Sequence, residues 1–188
     1  LKIGCGVQVA NPIHISLPTP ASAPYSFPRV FVLMEEGSSA TIVEEHVSIS
    51  EDQAQESLTQ VPRPVSIAFS YLLAKAKSQV RYFYVQDLSP QAVHFWHQGV
   101  RLHSEAHLSH YSLMLGGYRH KSELAIRLEA PQATSKIWGI LWGKDRQFFD
   151  PHTQQLHLAP HTRSDLLFRA ALQDKARSIY TGLVRIDS

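Results

Sequence analysis

Ser122-Glu123-Leu124-Ala125-Ile126-Arg127-Leu128-Glu129 alternates without a break: Ser122, Leu124, Ile126 and Leu128 share one parity, and Glu123, Arg127 and Glu129 the other. A period of two marks a strand with one buried face and one face in solvent, whereas a helix would space its apolar residues three and four apart. Outward from this stretch, similar and more apolar runs occupy residues 29–36, 40–47, 80–88, 93–102, 107–115, 136–142, 165–170 and 178–186. β-Branched and aromatic residues dominate them, as strands prefer. Residues 65–71 alternate in the same way and read as a strand; residues 72–77, despite their helix formers, read as the corner that follows it.

The spacing of these runs carries the architecture. Their centres at Phe83, His97, Tyr111, Ala125 and Gly139 stand 14 residues apart, so two strands make a repeat of 28. A fixed period of this size is how a solenoid looks in sequence, each coil burying its face only by stacking on the next. An antiparallel meander or sandwich is the competing arrangement. Two features favour the solenoid: the connections Ser89-Pro90-Gln91, His103-Ser104-Glu105 and Pro131-Gln132-Ala133 lack the Asn-Gly or Asp-Gly of tight hairpins, and 14 residues per strand is long for a meander. The expected fold is all-β, a β-solenoid with about two strands per 28-residue coil. After Gly139 the period drifts, and Asp150-Pro151-His152-Thr153 reads as an inserted turn. Between Asn11 and Pro28, Pro12, Pro18, Pro20, Pro24 and Pro28 preclude helix and allow an edge strand or linker. The polar stretch 50–64 reads as a mobile loop. The expected division is residues 1–28 as this edge or linker and 29–188 as the core. That core stops mid-pattern at Ile186-Asp187-Ser188, as a piece of a longer scaffold would.

Composition excludes several function classes. The 188 residues carry 18 basic and 16 acidic side chains, scattered without a basic block, so neither nucleic acid nor an anionic membrane is an expected partner. No stretch approaches the ~18 apolar residues of a membrane span. A single cysteine, Cys5, allows no internal disulfide framework and points to a reducing, cytoplasmic compartment.

The candidate chemistry is sparse. Eleven histidines invite a metal site, but the pairs His94/His97 and His107/His110 are three apart within strands, which sends their side chains to opposite faces. His157 and His161 share parity yet would stand more than ~10 Å apart at ~3.3 Å per residue. Histidines are therefore expected on solvated faces or at corners. His110-Tyr111-Ser112 alternates across one strand and forms no nucleophile and base. Cys5 reads as a small apolar filler. Glu35-Glu36 and Glu44-Glu45 are expected on a solvated rim at the ends of two successive strands. Gly116-Gly117 reads as a corner, since no helix follows to make a phosphate loop, and Trp96, Trp138 and Trp142 read as core aromatics.

Three blocks resemble a known family. The stretch from His161-Thr162-Arg163-Ser164-Asp165-Leu166-Leu167-Phe168 through Asp174-Lys175 to Tyr180-Thr181-Gly182-Leu183-Val184-Arg185-Ile186 resembles the core of the SufB and SufD family of iron–sulfur cluster assembly proteins. Residues 29–46, with paired acidic closures, are similar to the family's first core coil. Leu113-Met114-Leu115-Gly116-Gly117-Tyr118-Arg119-His120 is similar to a corner more typical of SufD members. The resemblance implies a flattened right-handed parallel β-helix. It further implies a non-catalytic, SufD-like scaffold that pairs with a SufB-like paralogue and a SufC-like ATPase, with iron–sulfur clusters handled by the whole assembly; self-association stays open. The family's late Cys-Ser-His-Gly-Ala-Thr type segment and its ATPase-binding helices would lie beyond Gly182-Leu183-Val184, so no catalytic, cofactor-binding or metal residue carries over to this chain. Cys5 alone cannot supply the several thiolates a cluster needs. Two rival readings are a carbohydrate-active β-helix enzyme working through the acidic rim and a homo-oligomeric structural β-protein.

Overall fold

The structure, a computed structural model, describes residues 1–20, 25–49 and 63–187, among which there is no helix. The strands are β1 (Lys2–Ile3), β2 (Ile13–Pro20), β3 (Tyr25–Ser26), β4 (Arg29–Met34), β5 (Ser39–Ile49), β6 (Val65–Ala74), β7 (Gln79–Asp87) and β8 (Val93–Leu102). They continue as β9 (His107–Met114), β10 (Arg119–Leu128), β11 (Thr134–Gly143), β12 (Phe148–His157), β13 (Arg163–Leu172), β14 (Arg177–Ser178) and β15 (Thr181–Ile186). One sheet runs β1-β4-β6-β8-β10-β12-β14, with β3 beside β6 and β15 beside β12; the other runs β13-β11-β9-β7-β5-β2. From β4 to β14 successive strands alternate between the sheets, and their pairings are parallel. This is the β-solenoid that the spacing predicts.

The coil length is nearly constant. Val65 pairs with Val93, 28 positions on; Val93 with Arg119, 26 on; Arg119 with Phe148 and Phe148 with Arg177, 29 on each time. The step from Arg29 to Phe69 is 40 and spans the expected loop, whose residues 50–62 lie outside the described ones. The proline-rich stretch supplies β2, the outermost strand of its sheet, where a missing N–H is tolerated.

The expected turn at Asp150–Thr153 is absent: these residues lie within β12. Pro151 deceives the reading, but the sheet accommodates it. Opposite Asp150 and Pro151 the next coil's strand is interrupted, β14 ending at Ser178 and β15 beginning at Thr181.

Corners repeat one conformation. Gly6, Gly37, Lys77, Glu105, Gln132 and His161 all have positive φ, each just after a strand of the first sheet. The N–H groups of Gly6, Gly37, Lys77 and Glu105 donate to Glu36, Ala76, Ser104 and Pro131 in the next corner, at 2.8–3.1 Å. A small residue follows, and Ser38, Ser78, Ala106 and Ala133 are fully buried. The opposite corner is closed at Gly116, where a Cβ would run into the Leu88 backbone.

The interior has two zones. Near the corners just described it is dry, filled by Met34, Leu72, Val100, Leu102, Ile126 and Leu128 from one sheet and Val80 and Leu108 from the other. Toward the opposite edge, the same inward parity carries polar side chains: Glu44, His46, Ser70, His94, Gln98, His110 and His120. Of the three tryptophans only Trp96 is a core aromatic, at 3 % exposure; Trp142 is 58 % exposed. On the outer face of the second sheet Phe83 stacks on Tyr111, and Tyr111 on Trp138, with ring centroids 4.5 and 5.0 Å apart.

Candidate functional site: a polar cluster inside the solenoid

Glu44 is the centre of the buried polar zone. It sits in β5 two residues after Ile42 and therefore faces inward, with no solvent exposure, which corrects the expectation of a solvated rim. Its carboxylate accepts hydrogen bonds from Ser70 Oγ at 2.6 and 2.8 Å, from Trp96 Nε1 at 3.0 Å and from the Tyr82 hydroxyl. His46 Nε2 lies 2.7 Å from Oε1 and completes an ion pair when the imidazole is protonated. Four strands, β5, β6, β7 and β8, contribute these groups, because the register stacks them on adjacent coils.

A buried carboxylate is tolerable only when hydrogen-bonded or paired. Burial pushes the Glu44 carboxyl up, but the bonds from His46, Ser70 and Tyr82 and the His46 charge outweigh it and hold the group below its ordinary value. The same environment raises Tyr82 and Tyr84 well above the usual phenol range, by burial first and then by the Glu44 charge.

A histidine column extends from this centre. The His46 and His94 rings lie 4.8 Å apart and the His94 and His120 rings 5.2 Å, the latter pair stacked. His94 Nε2 meets the Tyr84 hydroxyl at 3.1 Å, and His110 Nε2 meets Gln98 Oε1 at 2.8 Å. Burial lowers His94 well below 6.5, brings His110 to about 4 and His120 to about 3. These imidazoles are therefore neutral at physiological pH. His46 Nδ1, His94 Nδ1, Gln98 Nε2 and both nitrogens of His120 have no partner among the described residues, a state that native interiors ordinarily satisfy with internal water.

The structure separates the pairs as strand geometry requires. His94 and His110 point inward and are fully buried, while His97 and His107 point out. The expectation that histidines populate solvated faces fails for His46, His94, His110, His120 and His157, all of which are buried. Parity with known core residues is the signal that finds them: His94 is in phase with Trp96 and Val100, His110 with Leu108, His120 with Leu124. His157 bonds Thr162 and Ser164, and His161 occupies a positive-φ corner, so these two form no pair.

The carboxylates do not assemble an acid and base. Glu35 is clamped at a corner between Lys75 at 2.7 Å and Lys2 at 3.2 Å; the bonds from Lys75 and then Lys2 hold it below the ordinary range. Glu44 and Glu45 point to opposite faces of β5. Gly116 and Gly117 form the expected corner. Cys5 is exposed in a turn, not packed as a filler. Among the described residues no three His, Cys, Asp or Glu side chains could hold a metal ion together. An iron–sulfur cluster prefers thiolates, so this donor set does not fit one. Nor is any helix long and apolar enough to cross a membrane. The polar cluster is sealed, and chemically it can store and exchange protons among neighbouring groups without contact with bulk solvent.

Comparison with known proteins matches the same span. Residues 18–188 match the family model for the SUF system FeS cluster assembly, SufBD core domain. The chain is 23 % identical over 164 residues to an iron–sulfur cluster assembly protein SufD of Plasmodium falciparum, covering 87 % of this chain and 10 % of that protein. It is 21 % identical over 173 residues to an iron–sulfur cluster assembly SufBD family protein of Mycobacterium leprae, covering 92 % and 41 %, and 22 % identical to one of Mycobacterium bovis. The chain thus spans about two fifths of the mycobacterial relatives and a tenth of the Plasmodium one. With its stacked coils coinciding with the matched residues, the chain belongs to the SufBD core-domain family of the SUF iron–sulfur cluster assembly system.

Proposed function

We propose that this chain is a SufD-like, non-catalytic scaffold in iron–sulfur cluster assembly, acting in the cytoplasm by pairing with a SufB-like paralogue and serving a SufC-like ATPase. The observation that carries the reading is the pair of open sheet edges. The outermost strands β13 and β15 leave backbone groups unpaired on one side and expose Leu167, Leu172, Leu183, Val184 and Ile186. Such an edge is a template for strand addition from a partner. A scaffold role also accords with an interior that holds no metal-ligand trio among the described residues. A carbohydrate-active site has no support, since Glu44 is internal and Glu35 is neutralised by two lysines.

The test is co-expression with the SufB-like and SufC-like proteins of the same organism, followed by sizing with light scattering. One complex is expected, and Leu183→Lys with Val184→Lys on β15 should dissociate it. Separate migration of the unmodified proteins, or a homodimer that excludes the paralogue, would overturn the reading.

A further inference from the structure

A cleft of about 470 Å³ lies at the corner where the second sheet hands the chain back to the first. Its lining includes Arg119, Arg146, Lys175 and Arg177 and contains no carboxylate. Among the described residues none of these four cations is in an ion pair. Asp145 and Asp174 belong to the adjoining recess, where the Asp174 carboxylate accepts the Asp145 N–H at 3.3 Å. In a chain whose net charge is +2, four convergent positive groups in one concavity repel one another unless an anion joins them.

The geometry points to a small molecule bearing a diphosphate group as that anion. This assignment stands independently of the cluster-assembly reading. Arg119, Phe148 and Arg177 are register partners on three successive coils, so the two arginines are about 10 Å apart, two strand spacings of ~4.8 Å. Two linked phosphates can engage cations from both ends of that span, and the guanidinium fork matches phosphate oxygens. The half-buried Phe148, set between the arginines, offers a flat apolar face to the remainder of the ligand. The floor is rigid. Gln147 is buried, donates its amide to Leu115 O at 3.1 Å and Gly117 O at 3.0 Å, and accepts from Lys144 N at 2.8 Å. Tyr118 forms a wall, with the Arg63 guanidinium 3.7 Å and the Arg119 guanidinium 5.5 Å from its ring centroid.

The experiment titrates inorganic pyrophosphate, and separately ADP, into the full chain at about 0.1 M salt, where screening already acts beyond ~10 Å. Calorimetry and amide NMR are the readouts. Binding tighter than about 1 mM is expected, with shifts confined to Tyr118, Arg119, Gln147, Phe148 and Arg177. Arg119→Gln with Arg177→Gln, and Arg146→Gln with Lys175→Gln, should each weaken it by about tenfold or more, the loss of charge-assisted contacts. Arg127→Gln, outside the cleft, should not. Equal affinity for both probes assigns the diphosphate alone, whereas tighter ADP binding that Phe148→Ala abolishes assigns a nucleotide; both support the proposal. No shifts at 10-fold above that limit, equal weakening by Arg127→Gln, or tighter binding of an oligothymidylate than of pyrophosphate would overturn it. The NMR footprint on the unmodified protein decides the matter even if a variant fails to fold.

Discussion

Replacing Glu44 tests whether the inner polar zone is structural. In Glu44→Ala, the Tyr82 hydroxyl and His46 Nε2 lose the acceptor, while Trp96 Nε1 retains Ser70 Oγ at 3.2 Å. Removing one partner from a buried, hydrogen-bonded ion pair costs about 3–5 kcal/mol, a large share of the ~5–15 kcal/mol that holds a domain together. Glu44→Gln keeps the shape but sets an amide N–H₂ among donors. The Ser70 and Tyr82 hydroxyls can turn to accept from it, so the loss should be nearer ~2 kcal/mol, that of charge-assisted bonds becoming neutral ones. Glu36, exposed at a corner, is the control, and Glu36→Ala should stay within ~0.5 kcal/mol. Urea unfolding followed by tryptophan fluorescence and far-ultraviolet dichroism gives these differences, provided the slope is unchanged. In the double variant Glu44→Ala/Ser70→Ala the effects should be less than additive, because the two groups touch. If Glu44→Ala and Glu36→Ala were equally mild, the carboxylate would be solvated and the buried network wrong.

Two further outcomes follow from the same interior and its corners. The folded values of His94, His110 and His120 lie below the usual 6.5, so the unfolded chain binds more protons below that pH. Stability should be complete above pH 6.5 and fall as pH drops toward 4, each histidine contributing about 1.4 kcal/mol per pH unit while only its unfolded form is protonated; Glu44 adds its own loss below about 4.5. Urea midpoints measured from pH 8 to 4 check this, and a flat profile would refute it. Gly116→Ala should lower the melting temperature by about 5–10 °C, since overpacking against backbone costs ~1–3 kcal/mol, whereas Gly4→Ala, which meets Val7 at an ordinary 3.4 Å, should leave calorimetric scans unchanged.

The coils were legible because each strand shows one clean parity and their centres keep a constant interval. β8, read as residues 93–102, matches its strand at both ends. β12 was illegible because proline ordinarily breaks a strand, and only the interruption between β14 and β15 explains its presence. The polar cluster was hidden for a different reason. Alternation was read through residue chemistry, with Glu44 and the histidines assigned to solvent because they are polar. Phase relative to Ala40 and Ile42, or to Trp96 and Val100, places them inside. Hydrogen bonds between coils some 26 to 52 positions apart in sequence make such burial affordable, and no local window contains them. The outward Trp142 is the converse case: an apolar residue on the solvent parity.

The row of positive-φ corners also fixes how such a molecule can change size. Lys77, Glu105 and Gln132 occupy a conformation that is unfavourable for side-chain-bearing residues, and the corner-to-corner hydrogen bonds align them along the axis. Removing a few residues between two corners would throw one left-handed position out of line and reverse the facing of the strand beyond it. Removing a whole corner-to-corner segment, such as the 27 residues from Glu105 to Gln132, leaves every remaining strand in phase. Length in this architecture is quantised, and lineages can lengthen or shorten the solenoid only in steps of one rung, about 4.8 Å at a time.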